Sequence, residues 1–491
     1  MLDIKTLGEL KKAGYRSKSV KTELRENLSR AIQNKETWYK GIVGYEKTVI
    51  PQLESAILAG HSINFLGLRG QAKTRMARMM VSLLDDYIPI IEGSELNDDP
   101  LNPITPKGKS MLAEYGDDLP ISWLHKNDRY VEKLATPDVS VADLIGDVDP
   151  IKAMNEKLSF SNEAVISYGL IPRSNRGIFV INELPDLQAR IQVALFNVLQ
   201  ENDVQIRGFN IRLPLDIAFV FTANPEDYTN RGSIVTPLKD RIQSQILTHY
   251  PKEIEDAINI SDLENRVSEE VKEKISISKE IKELLEQVSV EARRSEYVDE
   301  KSGVSARLSV SLREAVFANA YRRMLRNGDE SDRVRISDLY NSISAINGKI
   351  ELVYEGEQEG LKNVSQLLVN KAIKSTGAKY FESLLAKDAK RNEYIRNIIL
   401  FFQDKELHLL SDASVKEYKA SLDISELNEV PQLKEFEDQL VAKEFLLHAM
   451  SHHGMISAFP DNDGHTFDDL LGSVFKFDDL DEGSEDKANW N

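Results

Sequence analysis

One octapeptide constrains the fold of this chain more than any other feature: Gly67-Leu68-Arg69-Gly70-Gln71-Ala72-Lys73-Thr74. It follows the apolar run Ile63-Asn64-Phe65-Leu66, which suits a buried strand. It precedes a helical pattern carried by Met76, Met79, Met80, Leu83 and Leu84. Strand, glycine turn, then Lys-Thr at a helix start is the context of a phosphate-binding loop, in which backbone N–H groups cradle anionic oxygens. Lys73 then reaches the β- and γ-phosphates and Thr74 holds Mg²⁺. Gly67, Gly70, Gln71, Ala72 and Arg75 line or flank the cradle. Ala72 takes the place of the last glycine in G-x-x-x-x-G-K-[ST], and its Cβ is tolerated there if the backbone keeps φ negative.

Two further apolar runs carry polar residues at their C-terminal ends, where open parallel sheets bind ligands. Gly177-Ile178-Phe179-Val180-Ile181 ends in Asn182-Glu183. A Walker B strand has Asp then Glu there, so Asn182 sits at the metal position without charge and Glu183 keeps the place of the group that polarises water. The neutral amide predicts weaker Mg²⁺ affinity or slower turnover. Ile217-Ala218-Phe219-Val220-Phe221 runs into Thr222-Ala223-Asn224, which puts a carboxamide where a γ-phosphate sensor belongs. Arg241, in Thr236-Pro237-Leu238-Lys239-Asp240-Arg241, suits a finger inserted into a neighbouring subunit's nucleotide. Arg307, in Ser305-Ala306-Arg307, suits a second sensor.

Composition closes off other chemistries. The 491 residues contain no cysteine, which excludes thiolate nucleophiles, disulfides, iron–sulfur clusters and cysteine zinc sites. A net charge of −18 disfavours nucleic acid as the main partner. No stretch reaches the roughly 20 apolar residues that span a bilayer, and Met1-Leu2-Asp3-Ile4-Lys5 starts no apolar leader. The expectation is a cytoplasmic protein with no membrane partner.

Texture divides the chain. Residues 1–40 read as a helical N-terminal arm, with Leu24, Leu28 and Ile32 four apart. Residues 41–250 alternate strands and helices, an α/β domain with a parallel sheet. Within it, 92–135 reads as a long loop segment punctuated by Pro100, Pro103, Pro106 and Pro120. Residues 251–350 read as a small helical lid and 351–460 as a mostly helical C-terminal region. The stretch 461–491 reads as an acidic disordered tail, with ten acidic residues against two lysines. That tail repeats Phe467-Asp468-Asp469-Leu470 as Phe477-Asp478-Asp479-Leu480, which also suits a docking peptide. Arg322, Arg323, Arg326, Arg333 and Arg335 read as a solvated helix face or subunit contact. His448 and His452, four apart beside His453 and before His465, read as ordinary surface or packing histidines rather than a metal pair.

Together these motifs resemble those of AAA+ ATPases, in particular the MoxR and magnesium-chelatase motor-subunit branch, over about 41–350. Ile42-Val43-Gly44-Tyr45 is similar to the segment beside the adenine, and the Ala-Lys-Thr ending of the loop is similar to MoxR members. Tyr168 to Gly177 looks like the helix-2 insert running into Walker B, and Asp203 to Arg212 looks like the pre-sensor hairpin. The resemblance implies a P-loop AAA+ parallel sheet with helices on both faces, an all-helical lid and a helical C-terminal region. It implies ATP and Mg²⁺ as cofactors, with Ile42, Val43 and Gly44 against the base. Lys73, Thr74, Asn182, Glu183 and Asn224 would act in cis, Arg241 in trans and Arg307 from the lid. The expected function is an ATP-hydrolysing remodelling or chaperone-type ATPase in a homo-oligomer, a hexameric ring. Its partner would be a protein with a von Willebrand A-type domain. The motor of a metal chelatase is an alternative, and a nucleotide-gated scaffold with little turnover is another, motivated by Asn182. A sigma-54-type activator is disfavoured by the absence of a G-A-F-T-G-A loop and of a helix-turn-helix.

Overall fold

Strand periodicity builds the first unit, because successive side chains of a strand point to opposite faces of its sheet. The computed structural model describes residues 2–149, 151, 154, 165–206, 212–225, 233–386, 392–461 and 463–470. The chain divides into two compact units, Met1–Tyr250 and Pro251–Asn491. The strands of the first unit are, in order, β1 (Ile63–Leu66), β2 (Tyr87–Ile91), β3 (Ile121–His125), β4 (Tyr130–Leu134), β5 (Gly146–Val148), β6 (Ile166–Tyr168), β7 (Gly177–Asn182), β8 (Asp203–Gln205), β9 (Arg212–Pro214), β10 (Ile217–Ala223) and β11 (Ser244–Leu247).

Five of them form a parallel sheet in the order β11-β1-β10-β7-β4. Phe179, Ile181, Phe219 and Phe221 point to one face and pack on the helix Ala189–Glu201. Ile178, Val180, Ala218 and Val220 point to the other and pack on the helices Val20–Gln33, Val49–Leu58 and Lys73–Met79. β7 and β10 are buried throughout, as the apolar runs at 177–181 and 217–221 require. The run at Tyr87–Ile91 stays outside this sheet and pairs antiparallel with β3.

The segment 92–135 is not a long loop. Pro106 opens the helix Pro106–Tyr115, capped by Thr105, because proline at a first turn loses only an N–H that has no helical acceptor. β3 and β4 follow, and β4 is the edge strand of the central sheet. The helix Val20–Gln33, within the expected N-terminal arm, belongs to the core of this unit. Its Glu23 forms a buried, two-toothed ion pair with Arg129 at 2.7 and 2.6 Å, just before β4. Where the hairpin is expected, β8 pairs antiparallel with β9; residues 207–211 lie outside the described residues.

In the second unit the helices Lys279–Arg294, Arg307–Asn327, Leu361–Tyr380 and Gln439–His452 share one apolar core running from Ile275 to Phe467. A three-stranded antiparallel sheet joins it: Leu407–Leu410, Ser457–Asp461 and, between them, Gly464–Asp468. The expected tail therefore starts too early at 461. Phe467, the first residue of the acidic repeat, is fully buried on the central strand, because its aromatic side chain completes the core. The second copy of the repeat lies outside the described residues.

The arginine stretch is also not a solvated face. Arg323 and Arg335 are buried. Arg323 donates to Asp332 at 2.7 Å, to Asp338, and to Arg333 O at 2.8 Å. Arg335 pairs with Asp332 at 3.1 Å and lies 4.0 Å over the Tyr418 ring. Arg322 and Arg326 do face solvent, beside Asp412. His448 is buried against Tyr340, His465 and Phe467. Burial holds its pKa well below the ordinary value, and brings those of His452 and His465 down to about 4. Among the described residues no three potential ligands converge as a metal site.

Candidate nucleotide-binding site

Three parallel strands deliver their carboxyl ends to one place. β1 ends at Leu66 and enters the glycine loop at Gly67; beside it β10 ends before Asn224, and β7 ends at Asn182 before Glu183. Parallel direction brings these termini together, as in other open α/β sheets.

The loop turns where side chains are small. Gly70 has φ +74°. A Cβ on Gly67 would collide with Thr248 Oγ1 and Gln71 Oε1, two groups already joined by a 2.6 Å hydrogen bond. Ala72 has φ +54°, in the left-handed region. The expectation of a negative φ there is wrong: the chain needs the glycine conformation to start the helix at Lys73, and alanine accepts its strain. Left-handed backbone costs an L-residue roughly 1–2 kcal/mol, and glycine's looser unfolded state takes back about 0.4–1 kcal/mol. Ala72→Gly is thus expected to stabilise the first unit by about 0.5–1 kcal/mol, or roughly 1–4 °C in melting temperature. An unchanged or lower midpoint would show that Ala72 is not strained.

Lys73 is buried and its ammonium donates to Gly67 O, to Leu68 O at 2.9 Å and to Asn224 Oδ1 at 2.9 Å. The Thr74 hydroxyl donates to Asn182 Oδ1 at 3.0 Å, and Thr222 donates to the same oxygen at 3.1 Å. Thr222 Oγ1 also accepts the Glu183 N–H at 3.1 Å. Glu183 has φ +56°, a strained conformation of the kind that concentrates at functional sites. The structure thus brings together Gly67, Gly70, Gln71, Ala72, Lys73, Thr74, Asn182, Glu183 and Asn224.

The segment expected beside the base lies against the loop. Ile42 is buried, Gly44 has φ +80°, and Tyr45 Oη donates to Gln71 O at 3.1 Å and to His249 O at 2.7 Å. Burial pushes the Tyr45 phenol up to about 12, so it stays a donor. Val43 sits between Ile42 and Gly44 on that segment. Arg75 is exposed, with its guanidinium so near Gly41 that a Cβ there would come within 2.7 Å.

Of the two expected arginines, Arg241 is outside this cluster and Arg307 belongs to the second unit. Arg241 donates to Gln200 Oε1 at 3.1 Å and Pro237 O at 2.8 Å, and lies 4.8 Å over the Phe196 ring. Arg307 is exposed and opens a helix of the second unit, its N–H donating to Ser305 Oγ at 3.1 Å.

One member of the site escaped the sequence. Glu132 on β4 accepts the Asn182 side-chain N–H at 2.8 Å, two N–H groups of Arg78 at 2.9 Å each, and the Tyr130 hydroxyl at 2.9 Å. Burial works against its charge; the Arg78 and Tyr130 hydrogen bonds outweigh it and hold the carboxyl below its usual range. Tyr130-Val131-Glu132-Lys133-Leu134 sets two apolar residues before two charged ones, so it lacks the period-two alternation that marks a strand in sequence.

The residues fit a magnesium nucleotide. A glycine turn, a lysine, a threonine hydroxyl and an amide oxygen converge, with carboxylates behind and beside them, which is an oxygen-rich donor set suited to Mg²⁺.

Fold and site define a P-loop α/β protein of the AAA+ type. A family model described as the Sigma-54 interaction domain matches residues 155–246, the stretch from before β7 to β11 that includes Arg241. The chain is 26% identical over 226 residues to the magnesium-chelatase 38 kDa subunit of Cereibacter sphaeroides, covering 45% of this chain and 61% of that one. It is 26% identical over 225 residues to the subunit of the same name from Rhodobacter capsulatus, covering 45% and 59%. The match therefore spans about three fifths of the length of those relatives. A cryo-EM-based model of the BchI–BchD complex of magnesium chelatase aligns with 65% of this chain and 98% of its own, at 19% identity and a TM-score of 0.34. At that score the superposition bears on neither function nor assembly. The resemblance carried by the motifs is borne out in its coarser part: the chain carries a stretch matched by a domain of the AAA+ class and is similar to magnesium-chelatase 38 kDa subunits.

Proposed function

We propose that the chain binds and hydrolyses ATP at the ends of β1, β7 and β10 and uses the cycle to remodel a partner protein. The observation that carries this reading is the convergence of Lys73, Thr74, Asn182 and Asn224 by direct hydrogen bonds at the ends of those strands. Lys73 exchanges its loop oxygens for phosphate oxygens. Mg²⁺ would supply charge neutralisation between the phosphates. Thr74 and Asn182 are the residues whose oxygens would hold it. Glu183, held by its backbone bond to Thr222, orients and polarises water, and Asn224 senses the terminal phosphate.

Arg241 acts on a neighbouring copy's nucleotide in a homo-oligomeric ring of six, and Arg307 acts from the helical lid. The partner proposed is a von Willebrand A-type protein, and the setting the cytoplasm; among the described residues no helix is long and apolar enough to cross a membrane. A chelatase motor is the more specific version, supported by the names of the relatives. A scaffold with slow turnover is favoured by one observation, the uncharged Asn182.

The test is phosphate release and retention of labelled ATP by the full chain beside Glu183→Gln. Retained binding with turnover lost at least 100-fold is expected, since the general-base contribution is about 10²–10⁴. Equal turnover in both would take hydrolysis away from Glu183. Tight binding without release in the wild type would select the scaffold.

A further inference from the structure

We infer that Glu132 is a positioning residue that lets a neutral amide stand in the Walker B metal position, by taking the N–H of Asn182 and turning its oxygen toward Thr74. The inference rests on the proposed magnesium-nucleotide site.

A carboxamide has two ends of opposite preference. Its oxygen attracts a cation or its waters, and its NH₂ repels them. Nothing within an isolated asparagine decides which end faces the metal, whereas an aspartate presents oxygen either way. Here β4 runs parallel to β7 with Leu134 opposite Asn182. Glu132, two residues earlier, projects from the same face as Leu134 and leans along the strand to meet the amide at 2.8 Å. A carboxylate only accepts, so it selects the NH₂ end. The other end then accepts from Thr74 at 3.0 Å and Thr222 at 3.1 Å. Flipping the amide would set its oxygen against the carboxylate, two acceptors with no proton between them. The negative charge behind the amide also polarises it, adding electron density at Oδ1 without bringing a second anion into the metal's shell. Arg78 and Tyr130 hold Glu132 in place from the far side.

The test compares wild type, Glu132→Leu, Asn182→Asp and the double variant in the full chain. The readout is the dissociation constant of a fluorescent ADP analogue, measured with Mg²⁺ and with EDTA. Glu132→Leu should lose about tenfold in affinity with Mg²⁺ and change less than twofold in EDTA. In the Asn182→Asp background the same leucine should cost nothing, or improve Mg²⁺-dependent binding by removing a facing carboxylate. Arg78→Met removes the ion pair and leaves the Glu132–Asn182 bond. It should keep the wild-type Mg²⁺ dependence within about threefold, as befits a pair whose arginine faces solvent. Equal losses with and without Mg²⁺, or no rescue by Asn182→Asp, would make Glu132 a structural partner only and overturn the inference. Wild-type binding by Glu132→Leu would overturn it too, and with Lys73→Ala still defective would leave the nucleotide reading intact. Binding that ignores Lys73 as well would remove that reading itself.

Discussion

Lys73→Ala is expected to weaken ATP binding on the order of 100-fold or more while the first unit stays folded. Lys73 is buried at the start of its helix, and its ammonium already sits among the loop oxygens Gly67 O and Leu68 O and beside Asn224. A phosphate in the cradle competes for the same donors. Each charge-assisted hydrogen bond contributes about 1.5–3 kcal/mol, so losing two to phosphate costs on the order of 3–6 kcal/mol, a factor of at least 100. The fold depends little on them, since β1 is paired on both sides and Met76 and Ala77 keep the helix packed. Equilibrium binding of labelled ATP, paired with an unfolding curve, checks the result. Near-wild-type affinity in a folded variant would move the function away from this loop.

The second large effect belongs to stability. Arg323→Met should destabilise the second unit by about 3–5 kcal/mol, because removing one partner strands buried charge. Burial pulls the Arg323 guanidinium toward neutrality, and Asp338 and Asp332 outweigh it and hold it charged. Both carboxylates are buried, and without Arg323 the Asp338 carboxylate is left with the Arg335 N–H at 2.8 Å. A unit of this size loses about 2–4 °C per kcal/mol, so the midpoint should drop by roughly 6–20 °C. Arg326→Ala, three residues along the same helix, is the control. Its bond to Asp412 is solvent-exposed on both sides, and such pairs contribute about 0–1 kcal/mol. Equal effects from the two substitutions would refute the buried network.

The comparison of these two arginines shows where sequence reading stops. Arg322, Arg323 and Arg326 have the same chemistry, and charge alone predicts water for all of them. Burial of Arg323 depends on Asp332 and Asp338 folding back onto it from the short strand Asp332–Arg333 and the helix Ile336–Tyr340 that follow. The same limit hides β4. Tyr130-Val131-Glu132-Lys133-Leu134 holds two charged residues, as expected of an edge strand facing solvent on one side, and nearby prolines make the whole segment read as loop. The acidic composition of 461–470 likewise conceals Phe467 as a core residue.

The sequence by itself determined the glycine loop and the apolar strands ending at Asn182 and Asn224, and hence where the proposed nucleotide site falls, because backbone turns and buried strands leave a local pattern of residue types. Only the tertiary structure decided that Ala72 is left-handed, that an edge strand borders β7, and that Glu132 faces the amide of Asn182. That last relation joins residues 50 positions apart in the chain, and which side chains meet across a sheet follows from strand register, which the weakly patterned sequence of β4 taken alone leaves open.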